Sequence, residues 1–125
     1  MNPTDMLYTK EHEWVKIEGT VATMGITEYA QSALGDIVFV EQPEEGTDLA
    51  VGDECIQLES AKAAASVYSS VVGVVCAGNE ALEDAPELVN TDPYGEGWMV
   101  KIEIEVAPEG LMDAAAYEAY LATCE

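Results

Sequence analysis

Hydrophobic and polar positions alternate in short runs along most of this chain, and turn-forming residues separate the runs. Glu13-Trp14-Val15-Lys16-Ile17 reads as a strand, Glu18-Gly19 as a turn, and Thr20 to Met24 as a returning strand that Gly25 ends. Thr27 is a good N-cap for a short helix from Glu28 to Leu34, with Gly35 as its stop. Asp36-Ile37-Val38-Phe39-Val40-Glu41 predicts a strand, and its four consecutive apolar residues predict burial on both faces or a position between sheets. A short piece from Thr47 to Val51 precedes Gly52-Asp53. Glu54 to Glu59 alternates, Ser66 to Val72 is β-rich, and Gly73 to Ala77 reads as a further strand.

From Asn79 to Gly97 the pattern is loop-like and acidic, with Pro86, Pro93 and a dense turn cluster at Asn90-Thr91-Asp92-Pro93-Tyr94-Gly95. Trp98 to Ile104 alternates again. Pro108 is expected to open a C-terminal helix over 108–123, with Leu111, Ala114, Tyr117 and Leu121 as its apolar stripe. Many short strands at close spacing predict a β-sandwich or barrel with helical additions. At 125 residues the chain is expected to form one domain, 1–125, with 1–10 as a lead-in.

Charge narrows the function. The formal net charge is −21, from 25 acidic residues against four lysines and no arginine. Affinity for nucleic acid is built from basic contacts to phosphate, so nucleic acid is excluded as a partner, and anionic membrane surfaces are disfavoured. Docking to basic faces of partner proteins, adaptation to salt and a plain solvated surface all remain compatible with this charge. No apolar segment is long enough to span a membrane. The first residues lack the features of a secretory or mitochondrial targeting segment, so a bacterial-type cytoplasm is expected, or a mitochondrial matrix for a mature form.

Cys55, Cys76 and Cys124 are far apart, with no Cys-x-x-Cys, and the one histidine, His12, is distant from all three; neither a zinc site nor a disulfide framework is expected. Cys55 and Cys76 fall in apolar strand patterns and are expected to be buried. With one histidine, no arginine and no glycine-rich phosphate loop, a self-sufficient enzyme is disfavoured.

Lys62 stands apart from the other lysines. No acid lies between Glu59 and Glu80, and the residues from Ala63 to Gly78 carry no charge. A lysine in such surroundings snorkels, pairs or is there for its amine. The strand-like flanks put it at a hairpin turn, although no Asn-Gly or Asp-Gly is present and the alanine run is equally compatible with helix. Small neighbours leave the amine open to a modifying enzyme, and a surface loop lysine would have the same spacing.

Glu59-Ser60-Ala61-Lys62-Ala63 resembles the lipoyl-attachment sequence of the glycine cleavage system H-protein family. Tyr8-Thr9-Lys10-Glu11-His12-Glu13-Trp14 is similar to that family's opening. Gly25-Ile26-Thr27, Ala30-Gln31 and Leu34 to Val40 match its next block, Asn90 to Trp98 a later one, and Leu111 to Tyr120 its closing helix. The matches are collinear from Tyr8 to Tyr120.

The resemblance implies a mainly β lipoyl/biotinyl-type barrel-sandwich hybrid, or hammerhead, with a short internal helix and a C-terminal helix. It implies lipoic acid as an amide on Lys62, with Glu59, Ser60, Ala61 and Ala63 as the recognition turn for a lipoylating enzyme. It further implies a non-catalytic carrier, expected to be monomeric, that serves three enzymes. A pyridoxal-phosphate glycine decarboxylase (P protein) loads an aminomethyl group, and a tetrahydrofolate-dependent aminomethyltransferase (T protein) removes the carbon. Dihydrolipoamide dehydrogenase (L protein) then reoxidises the carrier.

By the same resemblance Glu13 contacts the loaded arm, whereas by residue type alone it reads as an exposed strand carboxylate. His12 reads as structural or solvent-facing. Three positions depart from the family pattern: Ala61 stands where Val is frequent, Ser66 where an acid is frequent, and Ser70 where Pro is frequent. The acid's absence implies weaker seating of the arm. Other readings are a lipoyl domain of a 2-oxo acid dehydrogenase, an H-like lipoate relay and an unloaded acidic binding module. The first would carry Asp before its lysine.

Overall fold

A computed structural model describes residues 5–106 and 110–123. Among the described residues, nine strands form two sheets. The larger has six strands in the order β1 (Leu7–Tyr8), β2 (Glu13–Glu18), β3 (Val21–Ile26), β9 (Val100–Val106), β8 (Val72–Gly78) and β5 (Asp48–Leu49). The smaller holds β4 (Ile37–Glu41), β6 (Glu54–Ser60) and β7 (Ala64–Tyr68). Neighbours in both sheets pair antiparallel. Val15, Met24, Ile56, Leu58, Val75 and Ile102 are among the fully buried side chains of the main core. A second cluster of Met6, Tyr8, Trp14, Ala114 and Tyr117 lies under the C-terminal helix.

Helix α1 (Glu28–Leu34) has the expected termini. Thr27 Oγ1 accepts from the Ala30 N–H, and Gly35 takes φ 84° at the end. Strand β3 does not end at Gly25 but runs through it, pairing Gly25 with Trp14. A Cβ at Gly25 would sit 2.7 Å from the Trp14 indole, so this glycine lets a buried ring lie flat on the backbone. The Trp14 Nε1–H donates to Pro93 O at 2.9 Å and ties that strand pair to the turn cluster.

Strand β4 departs from expectation. Ile37 and Val40 are buried, but Val38 and Phe39 are about half exposed. The register with β6 shifts between Ile37 and Phe39, and such a bulge turns two successive side chains to the outer face. A bulge in β6, between Glu54 and Ile56, does the reverse and buries both Cys55 and Ile56. Cys76, expected inside, is exposed on β8.

The segment read as loop holds two one-turn helices, α2 (Ala81–Asp84) and α3 (Leu88–Thr91), which bury Leu82 and Val89. Two asparagines replace regular pairing here. The Asn90 side chain donates to Gly35 O at 2.8 Å and to Gln31 Oε1 at 2.9 Å, and accepts from the Ile37 N–H at 2.8 Å. Asn79 donates to the carbonyls of Glu96 and Trp98, both at 2.7 Å.

The C-terminal helix α4 (Ala114–Leu121) begins later than expected, because Asp113 caps it by accepting from the Ala116 N–H at 2.8 Å. Pro108, the expected start, lies outside the described residues, as does Cys124. Backbone bonds between Tyr8 and Met112, in both directions, fasten the segment before α4 to β1.

Candidate functional site

Strands β6 and β7 form a hairpin with Glu59 opposite Ala64, and Ala61 and Lys62 lie at its tip. The turn is built without Asn-Gly. Among the described residues His12 is the one non-glycine with positive φ, so the tip does not use the left-handed pair that Asn-Gly supplies. The Ser60 hydroxyl organises it instead. Ser60 Oγ accepts from the Ala63 N–H at 3.0 Å and the Lys62 N–H at 3.3 Å, and donates to Ala63 O at 3.1 Å. The Ala61 N–H donates to Asp36 O at 2.9 Å, which fixes the tip against the start of β4.

Glu59, Ala61, Lys62 and Ala63 are exposed. Lys62 makes no ion pair among the described residues, where Lys16 with Asp5 does at 3.5 Å. Its aliphatic stem passes Gly35: a Cβ there would stand 3.3 Å from Lys62 Cε. The amine is thus held out at the hairpin tip, beside the end of α1.

A groove of about 210 Å³ runs between α1 and the hairpin. Tyr29 and Leu34 form one wall, Leu58, Ala65 and Ser66 the other, and His12 and Glu13 line it too. Leu34 precedes the glycine against which Lys62 rests. Ser66 does not reach towards Glu13; its hydroxyl bonds the Glu54 carboxylate on the neighbouring strand.

Glu13 is not the exposed strand carboxylate its residue type suggests. It is 3 % exposed. Its Oε2 accepts from the Tyr68 N–H at 2.8 Å and its Oε1 from the Thr9 hydroxyl at 3.3 Å. Burial pushes its pKa up to about 7 against the opposition of these two bonds, with Glu11 adding to the rise. A carboxyl near half-ionisation at neutral pH can meet a cationic amine or give up a proton without a large penalty. Glu13 also borders a second cavity of about 480 Å³, lined by Thr9, Val51, Tyr68 and Leu111 among others.

His12 is half-buried and makes structural contacts while lining the groove. It takes φ 68°, and its Nδ1 lies 2.7 Å from Tyr117 Oη of α4. Its ring packs 4.4 Å from that of Tyr29 on α1. Sequence reasoning missed the roles of Thr9, Gly35, Tyr68 and Tyr117, because each depends on a partner 4 to 105 positions away. Among the described residues no cluster of His, Cys, Asp or Glu forms a metal site.

A lysine at a hairpin tip, on a two-sheet sandwich with a groove beside it, defines a carrier of the lipoyl type. The glycine cleavage H-protein family model matches residues 6–124. A curated relative, the glycine cleavage system H protein of Nitratidesulfovibrio vulgaris, is 53 % identical over 120 residues, covering 96 % of this chain and 94 % of that one. The protein of the same name from Halorhodospira halophila is 53 % identical over 124 residues, covering 96 % and 95 %. The crystal structure of a glycine cleavage system H protein from Mycobacterium marinum superposes with a TM-score of 0.90 at 35 % identity, covering 97 % of this chain and 99 % of that chain. The chain belongs to the glycine cleavage H-protein family, the lipoyl-carrier component of the glycine cleavage system.

Proposed function

We propose that Lys62 is the residue that carries lipoic acid, as an amide, and that the groove from Leu34 to Glu13 receives the arm. Lipoate bound there supplies a dithiolane that carries the aminomethyl group and its electrons. The observation that carries the reading is Lys62 itself: an exposed amine with no acidic partner among the described residues, at a tip braced by Ser60 and Asp36. Acylation needs such an amine and costs no ion pair here. The chain's own residues suit the group. Ala61 and Ala63 give a modifying enzyme clearance, and Gly35 lets the lysine stem lie close. Leu34, Leu58 and Ala65 give the groove apolar walls, and Glu13 places a carboxylate at its inner end for a cationic amine.

In this reading the chain is a non-catalytic carrier. It collects the aminomethyl group of glycine at the pyridoxal-phosphate decarboxylase, delivers it to the tetrahydrofolate-dependent aminomethyltransferase, and is reoxidised by dihydrolipoamide dehydrogenase. The formal charge of −21 favours docking to basic faces of these partners, weakened by added salt. The test is peptide mass after expression with lipoate and a lipoylating enzyme, together with decarboxylase-supported exchange between glycine and carbon dioxide. A lipoyl increment confined to the peptide containing Lys62, and loss of exchange in K62R, are expected. A bare Lys62, where a known lipoyl domain is fully modified, would replace this reading with that of an unloaded binding module.

A further inference from the structure

Three elements converge on His12. Its own segment is a tight turn: the His12 N–H donates to Thr9 O at 3.1 Å, the Thr9 N–H donates to Glu13 O at 3.0 Å, and the Thr9 hydroxyl accepts from the N–H groups of Glu11 and Glu13, both at 3.2 Å. From α1, the Thr27 N–H donates to His12 O at 3.1 Å, and the Tyr29 ring packs on the imidazole. From α4, Tyr117 Oη reaches His12 Nδ1. Tyr117 is itself fixed: it is fully buried, stacked on Tyr8 at 4.8 Å, and 2.8 Å from Thr27 Oγ1.

Thr27 Oγ1 accepts from the Ala30 N–H and shares a hydrogen with Tyr117 Oη, which in turn shares one with His12 Nδ1, so Tyr117 links α1 to the 9–13 turn. Burial holds the His12 pKa below the usual histidine value against the opposite pull of Glu11.

The left-handed backbone at His12 decides where the next side chain goes. It lets His12 face α4 and Tyr29 while Glu13 turns in beneath β7 to meet the Tyr68 N–H. Left-handed backbone at a non-glycine residue persists only where the surroundings enforce it, and such positions concentrate at functional sites. We propose that His12 is a positioning residue: gripped by Tyr117 and packed on Tyr29, it holds the 9–13 turn so that the Glu13 carboxylate stays buried at the inner end of the groove. Helix α4 thereby acts on the site through Tyr117, with Tyr120 Oη adding a bond to Lys10 O of the same turn at 3.3 Å. The inference rests on the proposed role of Glu13 only for its consequence in transfer; its structural content stands apart from it.

The experiment follows the Glu13 carboxyl carbon by NMR through a pH titration of the unlipoylated chain, in wild type, H12G, H12N and Y117F. H12G permits the positive φ but removes the ring, H12N permits it and restores a hydrogen-bonding side chain, and Y117F removes only the hydroxyl. Burial of the carboxyl sets its midpoint near 7 in the wild type. H12G and Y117F are expected to lower that midpoint by about one pH unit or more as water reaches the carboxyl, and H12N to restore it. An unchanged midpoint in both H12G and Y117F overturns the proposal.

With lipoylated chain as co-substrate in glycine–carbon dioxide exchange, H12G and E13Q should change kcat and KM in the same sense, and the double variant should be no worse than E13Q. If E13Q exchanges like wild type, the role of Glu13 in transfer falls. The NMR midpoints still decide what His12 does.

Discussion

Glu13 Oε2 accepts the backbone N–H of Tyr68 at 2.8 Å, a bond from the six-stranded sheet to the end of the hairpin strand that leads back to Lys62. The carboxyl that borders the groove is thus also a strut between the two sheets. Its pKa of about 7 stands against an ordinary 4.5. Folding therefore favours its protonated form, and its contribution to stability is fully present below pH 4.5 and is lost as pH rises through 7. The loss amounts to about 3 kcal/mol. E13Q should match wild type in urea denaturation near pH 4.5 and exceed it by up to about 3 kcal/mol at pH 8. Equal stabilities at pH 8 would show that the carboxyl is not desolvated.

His12 should work in the opposite sense. Its folded pKa is lowered, so the stability it adds is present above its unfolded value and is lost as pH falls from there through the lower folded value. The difference between wild type and H12N should therefore open up on the acid side of neutrality, measured by the same denaturation series.

At the hairpin tip, Ser60 does the work that Asn-Gly does elsewhere. S60A removes one donor and one acceptor from an exposed turn and should cost about 0.5–1.5 kcal/mol. The larger effect should fall on modification. A tip that no longer holds the Ala63 and Lys62 N–H groups should be lipoylated several-fold more slowly, read by mass spectrometry over time. Threonine, which keeps the hydroxyl, should restore much of the rate.

Gly25 and Trp14 make a sharp packing prediction. A methyl group at Gly25 would stand 2.7 Å from an indole that is 1 % exposed and anchored through Nε1 to Pro93. The ring cannot move without giving up that bond. G25A should cost about 2–3 kcal/mol and lower Tm by several degrees.

The cysteines should differ in reactivity. Cys55 is buried, and desolvation, with Glu13 adding to it, pushes its thiol up to about 12. Cys76 is exposed on β8 with its sulfur 3.4 Å from Lys101 O. Alkylation at neutral pH in the native state should label Cys76 readily and Cys55 only on unfolding, as peptide mass would show.

What the sequence determined is what local chemistry determines. Thr27 and Gly35 bounded α1 because capping and left-handed termination are properties of single residues. Alternation in Gln57-Leu58-Glu59 located β6 because a half-buried strand has period two. The same ordered blocks carried the family resemblance and singled out Lys62.

The tertiary structure decided everything that required a partner far along the chain. The bulge against β6 turned Val38 and Phe39 outward, although four apolar residues in a row read as buried. Tyr68 and Thr9 took Glu13 inside, although a strand glutamate reads as exposed. Tyr117, 105 residues from His12, made that histidine part of the site. Burial and hydrogen bonding are pair properties, and the members of these pairs become neighbours only when the two sheets close on each other.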